Sequence, residues 1–212
     1  MHVVVTGANR GIGKSLAQRY RAQDHRVTGT ARDGSCEISL DVTDPAQQRS
    51  MAAALAGQDV DLLICNAGVY LDKGQTIEGY PAQMWADTFA ANVTGVFLTI
   101  QALLPNLRAS QGKIAIISSQ MASHTRAPGG SYIYRASKAA ALNLGRNLAA
   151  DLAGDGIAVG VYHPGWVQTD MGGGAADITA EAAADGLVAR FAALSTDTSG
   201  CFETWDGRAH PY

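Results

Sequence analysis

The sequence predicts a single α/β domain: a doubly wound, mostly parallel sheet of seven strands with helices on both faces. Three observations carry this expectation. Short apolar runs alternate with longer segments of helical period along all 212 residues. Several of the short runs are apolar throughout, as strands buried on both faces of a parallel sheet must be. The chain opens with a strand that passes through a glycine-rich turn straight into a helix. A chain of this length suits one domain, spanning 1–212, and it shows no internal repeat and no linker.

The elements follow in order. Residues 2–6 (HVVVT) read as the first strand and 12–23 as the first helix. Strands at 26–31 (RVTGTA) and 37–40 (EISL) precede Asp44-Pro45, an N-cap followed by proline at the first helical position, which opens a helix over 45–56. The fourth strand is 60–65 (VDLLIC). A long helix is expected over 82–109, because Phe89, Val93, Val96, Ile100 and Leu104 repeat on one face. Strand 113–118 (KIAIIS), helix 132–154, strand 157–162 (IAVGVY), helix 180–195 and strand 200–205 (GCFETW) complete the pattern. Gly57, Gly112 and Gly154 are the expected helix stops. The stretch 172–179 (GGGAADIT) is the one loop expected to be mobile.

Composition excludes several classes. Hydrophobic residues make up 47% and charged residues 17%, which excludes a disordered chain. Glycine is abundant at 24 while proline numbers 6, so the glycines belong to turns and close backbone approaches. The formal charge is −3 with no cluster of Lys or Arg, so no nucleic-acid partner is expected. The 3 cysteines have no CxxC spacing and the 5 histidines are scattered, so the expectation is reduced thiols, no metal and a cytoplasmic protein. No uncharged apolar run reaches about 18 residues, so no membrane partner is expected. The opening strand has neither a basic n-region nor a long apolar h-region, so no signal peptide is expected.

After the first strand stands Thr6-Gly7-Ala8-Asn9-Arg10-Gly11-Ile12-Gly13. Gly7 and Gly11 can take positive φ or let the backbone approach a pyrophosphate, and Gly13 allows close helix–strand packing. The helix start that follows offers N–H groups and a positive dipole end to phosphates. The T-G-x3-G-x-G spacing resembles the short-chain dehydrogenase/reductase family. Further marks of that family follow in order: Asp41-Val42, then Cys65-Asn66-Ala67-Gly68 (Cys65 replacing an Asn), then Asn92. Ser118-Ser119, Tyr134 to Lys138 as Y-x-x-x-K, and Pro164-Gly165-Trp166-Val167-Gln168-Thr169 complete them. The phrases around 129–144, HPGWVQTDMGG and SGCFETWDG also resemble the small C-factor-like reductases of the family, related to a bacterial cell-contact signalling protein.

The resemblance implies a Rossmann fold with strand order 3-2-1-4-5-6-7 and a site at the C-terminal edge of the sheet. It implies that Tyr134 is the general acid/base, that Ser119 holds the substrate oxygen, and that Lys138 binds the nicotinamide ribose. Asn92 would keep a water connected to Lys138. A tyrosine working near neutrality needs its pKa lowered from about 10 by about 2–3 units. A lysine one helical turn away and an oxidised nicotinamide both favour tyrosinate. The family pattern assigns Gly7, Asn9, Arg10, Gly11, Ile12, Gly13, Asp41, Val42, Asn66, Ala67, Gly68, Pro164, Gly165, Val167 and Thr169 to the cofactor. The second strand ends Thr30-Ala31-Arg32 with no acid for a ribose 2′-hydroxyl, while Arg10 and Arg32 can clamp a 2′-phosphate. NADP(H) is therefore the expected cofactor over NAD. Gln120, Met121, Ala122, Tyr132, Trp166 and Met171 point to a mainly apolar site for a small carbonyl or alcohol. The expected reaction is carbonyl reduction; the alternative is a nucleotide-binding signalling protein with little turnover. The helices at 82–109 and 132–154 pair subunits in many family members, which implies a homodimer or homotetramer.

Overall fold

Val3, Val4 and Val5 have no exposed surface at all, because each neighbour along the strand points to a different packed layer. This is the logic of the whole sheet in the computed structural model, which describes residues 1–212. The strands are β1 (His2–Thr6), β2 (Arg26–Ala31), β3 (Ile38–Ser39), β4 (Leu62–Cys65), β5 (Lys113–Ile117), β6 (Ala158–His163) and β7 (Phe202–Thr204). All are parallel, in the order β3-β2-β1-β4-β5-β6-β7. The helices are α1 (Gly11–Ala22), α2 (Pro45–Ala54), α3 (Ala82–Phe89), α4 (Gly95–Ser110), α5 (Tyr132–Leu152) and α6 (Ala180–Ala193). On one face Val4, Leu63, Ile116 and Val161 pack against side chains of α2, α4 and α5. On the other, Val3, Val5, Ile64 and Tyr162 pack against Leu16 and Tyr20 of α1 and Leu187 and Phe191 of α6. Residue Val4 of β1 pairs with Thr28 on one side and Leu63 on the other, so chain progression reverses at β1. A crevice opens at such a switch point, outside the carboxyl ends of the strands.

The single helix expected over 82–109 is three pieces. A π turn, Ala90–Thr94, joins α3 to α4. A π turn inserts one extra residue and so rotates everything downstream. The buried stripe of α4 accordingly runs through Val96, Ile100, Leu103 and Leu107, with Leu104 only partly covered. By length and apolarity the run Ala82–Ser110 would pass for a membrane span, and 44% of its apolar window is buried inside the fold. Two of the expected glycine stops also move. The left-handed residues after α4 and α5 are Gln111 (φ 52) and Gly156 (φ 72). Gly112 serves closeness instead: a Cβ there would lie 2.3 Å from the Val60 carbonyl oxygen. The loop expected to be mobile is tied to its own base. Gln168 N–H donates to Ile178 O (2.8 Å), Ile178 N–H to Trp166 O (3.2 Å) and the Gln168 side chain to Ala176 O (3.0 Å).

Candidate active site

The first wall of the crevice is built by backbone. Thr6, the last residue of β1, accepts the N–H groups of Asn66 and Ala67 on its hydroxyl, both at 3.0 Å. The Asn66 amide donates in return to the carbonyls of Thr6 (2.9 Å) and Gly7 (3.1 Å), locking the two chain ends at the switch point together. Gly7 (φ 66) and Gly11 (φ 53) hold left-handed backbone that a side chain would strain. Gly13 is a matter of space: a Cβ there would sit 2.2 Å from the Gly7 oxygen. Arg10, at the N-cap of α1, is extended and makes no side-chain cap, and the first turn contains no acid. The leading N–H groups of α1 therefore face the crevice without a side-chain partner.

A cleft of about 1390 Å³ extends from this turn. It is lined by the turn itself, by Arg32, Asp41 and Val42 beyond β2 and β3, and by Asn66, Ala67 and Gly68 after β4. Tyr134 and Lys138 of α5, with Pro164 and Thr169 after β6, complete it. Gly165 (φ 90) and the buried Val167 lie behind this lining. Thr169 reaches across: its methyl lies 3.2 Å from where a Cβ of Gly11 would be. The two arginines are not idle. Arg10 pairs with Asp170 and Arg32 approaches Asp41 at 3.9 Å, while Asn9 donates to Asp33 (2.9 Å). A glycine cradle, an uncapped helix start and this volume together fit a dinucleotide.

The second wall contains the titratable groups. Lys138 is buried, donates from Nζ to Ile117 O (3.0 Å), and has its pKa pushed down to about 8 by burial. Tyr134 is also buried, with its ring centroid 5.7 Å from Lys138 Nζ. Its pKa goes up, not down. Burial dominates, the neighbouring Ser119 hydroxyl opposes it, and Tyr70 and Asp72 reinforce it. In the protein alone, burial of the phenol outweighs the lowering expected from Lys138. The adjacent serines separate: Ser118 Oγ donates to the Lys138 carbonyl (3.1 Å), bracing α5, while Ser119 stands beside the Tyr134 phenol. Asn92 lies on the π turn and is pinned on three sides. Its Oδ1 accepts from Val69 N–H (2.8 Å), and its Nδ2 donates to Val69 O and Ser137 Oγ, both at 2.9 Å. A Cβ on Gly68 would lie 3.0 Å from Asn92 Oδ1 and 3.4 Å from Lys138 Nζ, so those two atoms border one space. Cys65, at the variant position, packs in the core, and burial pushes its thiol up to about 12. Met171 lines the cleft, while Trp166 stands exposed outside its lining.

Two residues at the site have no signal in the sequence. Asp72 is fully buried and accepts N–H groups from Ile133 (2.9 Å) and Tyr134 (3.3 Å). Tyr70 stacks on Tyr134 with centroids 4.2 Å apart. Their partners lie about sixty residues downstream, out of reach of any local pattern.

Comparison with known proteins agrees with this geometry. The model of the family described as short chain dehydrogenase matches residues 1–179. A 3-oxoacyl-(acyl-carrier-protein) reductase of Escherichia coli is 33% identical over 184 residues, covering 79% of this chain and 74% of that protein. The C-signal protein of Myxococcus xanthus is 36% identical over 168 residues, covering 77% of this chain and 99% of that one. An NADPH-bound carbonyl reductase from chicken fatty liver superposes with a TM-score of 0.91 at 31% identity, over 100% of this chain and 98% of that one.

Proposed function

The chain belongs to the short-chain dehydrogenase/reductase family, and we propose that it is an NADPH-dependent carbonyl reductase that takes an aldehyde or ketone to the alcohol with Tyr134 as proton donor. The observation that carries this reading is that Tyr134 and Lys138 line the switch-point cleft with Ser119 beside the Tyr134 phenol. The NADPH bound to the chicken reductase, which is alike over the whole chain, supports the cofactor.

The bound nicotinamide would supply the hydride; the chain supplies position and protons. The Gly7–Gly13 turn and the bare start of α1 hold the pyrophosphate, and Asp41 and Val42 meet the adenine. Arg10, once it exchanges Asp170 for a phosphate, and Arg32 bind the 2′-phosphate. Pro164 to Thr169 hold the nicotinamide side. Ser119 donates to the substrate oxygen. Tyr134, kept protonated by burial across the neutral range, hands its proton to that oxygen as negative charge develops. Lys138, with its pKa near 8, can return a proton to Tyr134 near neutrality, and the Asn92 side chain fixes the space beside it. The exposed Trp85 and Phe97 on the α3–α4 run give a self-association surface for a homodimer or homotetramer.

The test is oxidation of NADPH and NADH with a panel of small aldehydes, ketones and quinones. Turnover should favour NADPH, fall by about 100-fold or more in Tyr134→Phe with NADPH binding kept, and lose its NADPH preference in the double variant Arg10→Ala/Arg32→Ala. Tight NADPH binding with no turnover on any carbonyl would instead favour a nucleotide-binding signalling role, the reading that similarity to the C-signal protein supports.

A further inference from the structure

The N-terminus of α5 departs from an ordinary helix start. Its N-cap residue, Ser131, is left-handed (φ 48) and makes no side-chain cap. Gly129 (φ 87) and Gly130 (φ 68) just before it are left-handed too. A serine in this backbone is strained, so surrounding contacts must hold it. Those contacts come from one short segment after β4. The Tyr70 hydroxyl hydrogen-bonds the Ser131 hydroxyl, and the Tyr70 ring lies on the Tyr134 ring at 4.2 Å with planes 20° apart. Two residues on, the Asp72 carboxyl takes the place of the missing cap. It is fully buried and has no cation partner, and its acceptors are filled by the N–H groups of Ile133 and Tyr134. A carboxylate suits that place because the helix start is its positive end.

We propose that Tyr70 and Asp72 are positioning residues that clamp Tyr134 for proton transfer, Asp72 through its backbone and Tyr70 through its ring face. This rests on the reading of Tyr134 as the proton donor. The clamp acts in two ways. It fixes the helix turn that aims the phenol, and misplacement of a reacting group by about 1 Å costs on the order of 100-fold in rate. It also puts a negative charge near the phenol. The groups facing Tyr134 are Ser119, which favours tyrosinate, Tyr70 and Asp72, which oppose it, and Lys138, 5.7 Å from the ring centroid. Removing the Asp72 charge makes the phenol easier to ionise. In the reductive direction the acid is then lost at lower pH, so the alkaline limb that belongs to the phenol, above that of Lys138, moves down.

The experiment compares Asp72→Ala, Asp72→Asn, Tyr70→Phe and Tyr70→Leu with the wild type. Asp72→Ala should lose about 10–100-fold in kcat with NADPH affinity unchanged. Asp72→Asn keeps an acceptor and should recover most of that loss near neutrality, with its alkaline limb moved to lower pH. Tyr70→Leu should fall further than Tyr70→Phe, which keeps the stacked ring. Activity falling only in proportion to Tm, with the alkaline limb unmoved, would overturn the proposal. Amide hydrogen exchange at Ile133 and Tyr134 gives a readout that needs no turnover: exchange should speed by about tenfold in Asp72→Asn relative to the rest of α5. A wild type without carbonyl turnover would sink the reductase reading alone, whereas unchanged exchange would sink the clamp. Should Asp72→Ala not fold, Asp72→Asn and the Tyr70 pair still decide.

Discussion

Helices α1 and α5 both begin at the carboxyl edge of the sheet, and their first turns are treated in opposite ways. The start of α1 has no side-chain cap and no acid, and it opens on the cleft. The start of α5 is closed by Asp72, a buried carboxyl from another loop. Each leaves the same polar groups to be satisfied. One reserves them for an incoming anion; the other spends them internally, at the residue proposed to move the proton. The difference teaches that a helix N-terminus binds a ligand only where the protein has withheld its own acceptor.

The largest expected effect comes from closing the open start. Gly13→Ala puts a methyl 2.2 Å from the Gly7 oxygen, a backbone atom that cannot step aside without breaking the Asn66 lock. It should destabilise the fold by about 3 kcal/mol and abolish NADPH binding, read by urea denaturation and nucleotide titration. Next is the cation one turn along α5. Lys138 has a folded pKa near 8 against its ordinary 10.5, so its burial penalty is in full force below about pH 8 and is relieved as pH rises toward 10.5. Lys138→Met should therefore be more stable at pH 7, by up to about 3 kcal/mol, and should lack the wild type's rise in Tm across that window. Its carbonyl turnover should vanish. An unchanged or lower Tm at pH 7 would show that the Ile117 hydrogen bond outweighs the cost of burying the charge. The smallest effect belongs to α6, whose start is capped in the ordinary local way, by the Thr179 hydroxyl accepting from Ala182 N–H at 3.1 Å. Thr179→Ala should cost about 1 kcal/mol in thermal unfolding and leave turnover unchanged.

Most of the framework was legible because parallel sheets write themselves locally. A strand covered on both faces must be apolar throughout, and Val3-Val4-Val5 and Ile114 to Ile117 are. The Gly7–Gly13 turn was legible for a similar reason: positive φ and lack of room both select glycine, whatever lies elsewhere in the chain. The π turn was not, since Ala90 to Thr94 carries no residue that α-helix refuses; what accompanies the extra residue is Asn92 reaching Val69 and Ser137. Helix ends were read with partial success, because Gln111 took the left-handed position that Gly112 was expected to hold.

By itself, then, the sequence determined the alternation of elements, the seven strands, the glycine cradle and the grouping of Ser119, Tyr134 and Lys138. The first three rest on steric preference or hydrophobic period within a few neighbouring residues, and the grouping on resemblance to the family. Only the tertiary structure decided what state those groups are in. Burial raises Tyr134 and lowers Lys138, Asp170 occupies Arg10, and Asp72 fills the start of α5. Charge, desolvation and hydrogen bonding act through space between residues tens of positions apart, and no local pattern encodes them.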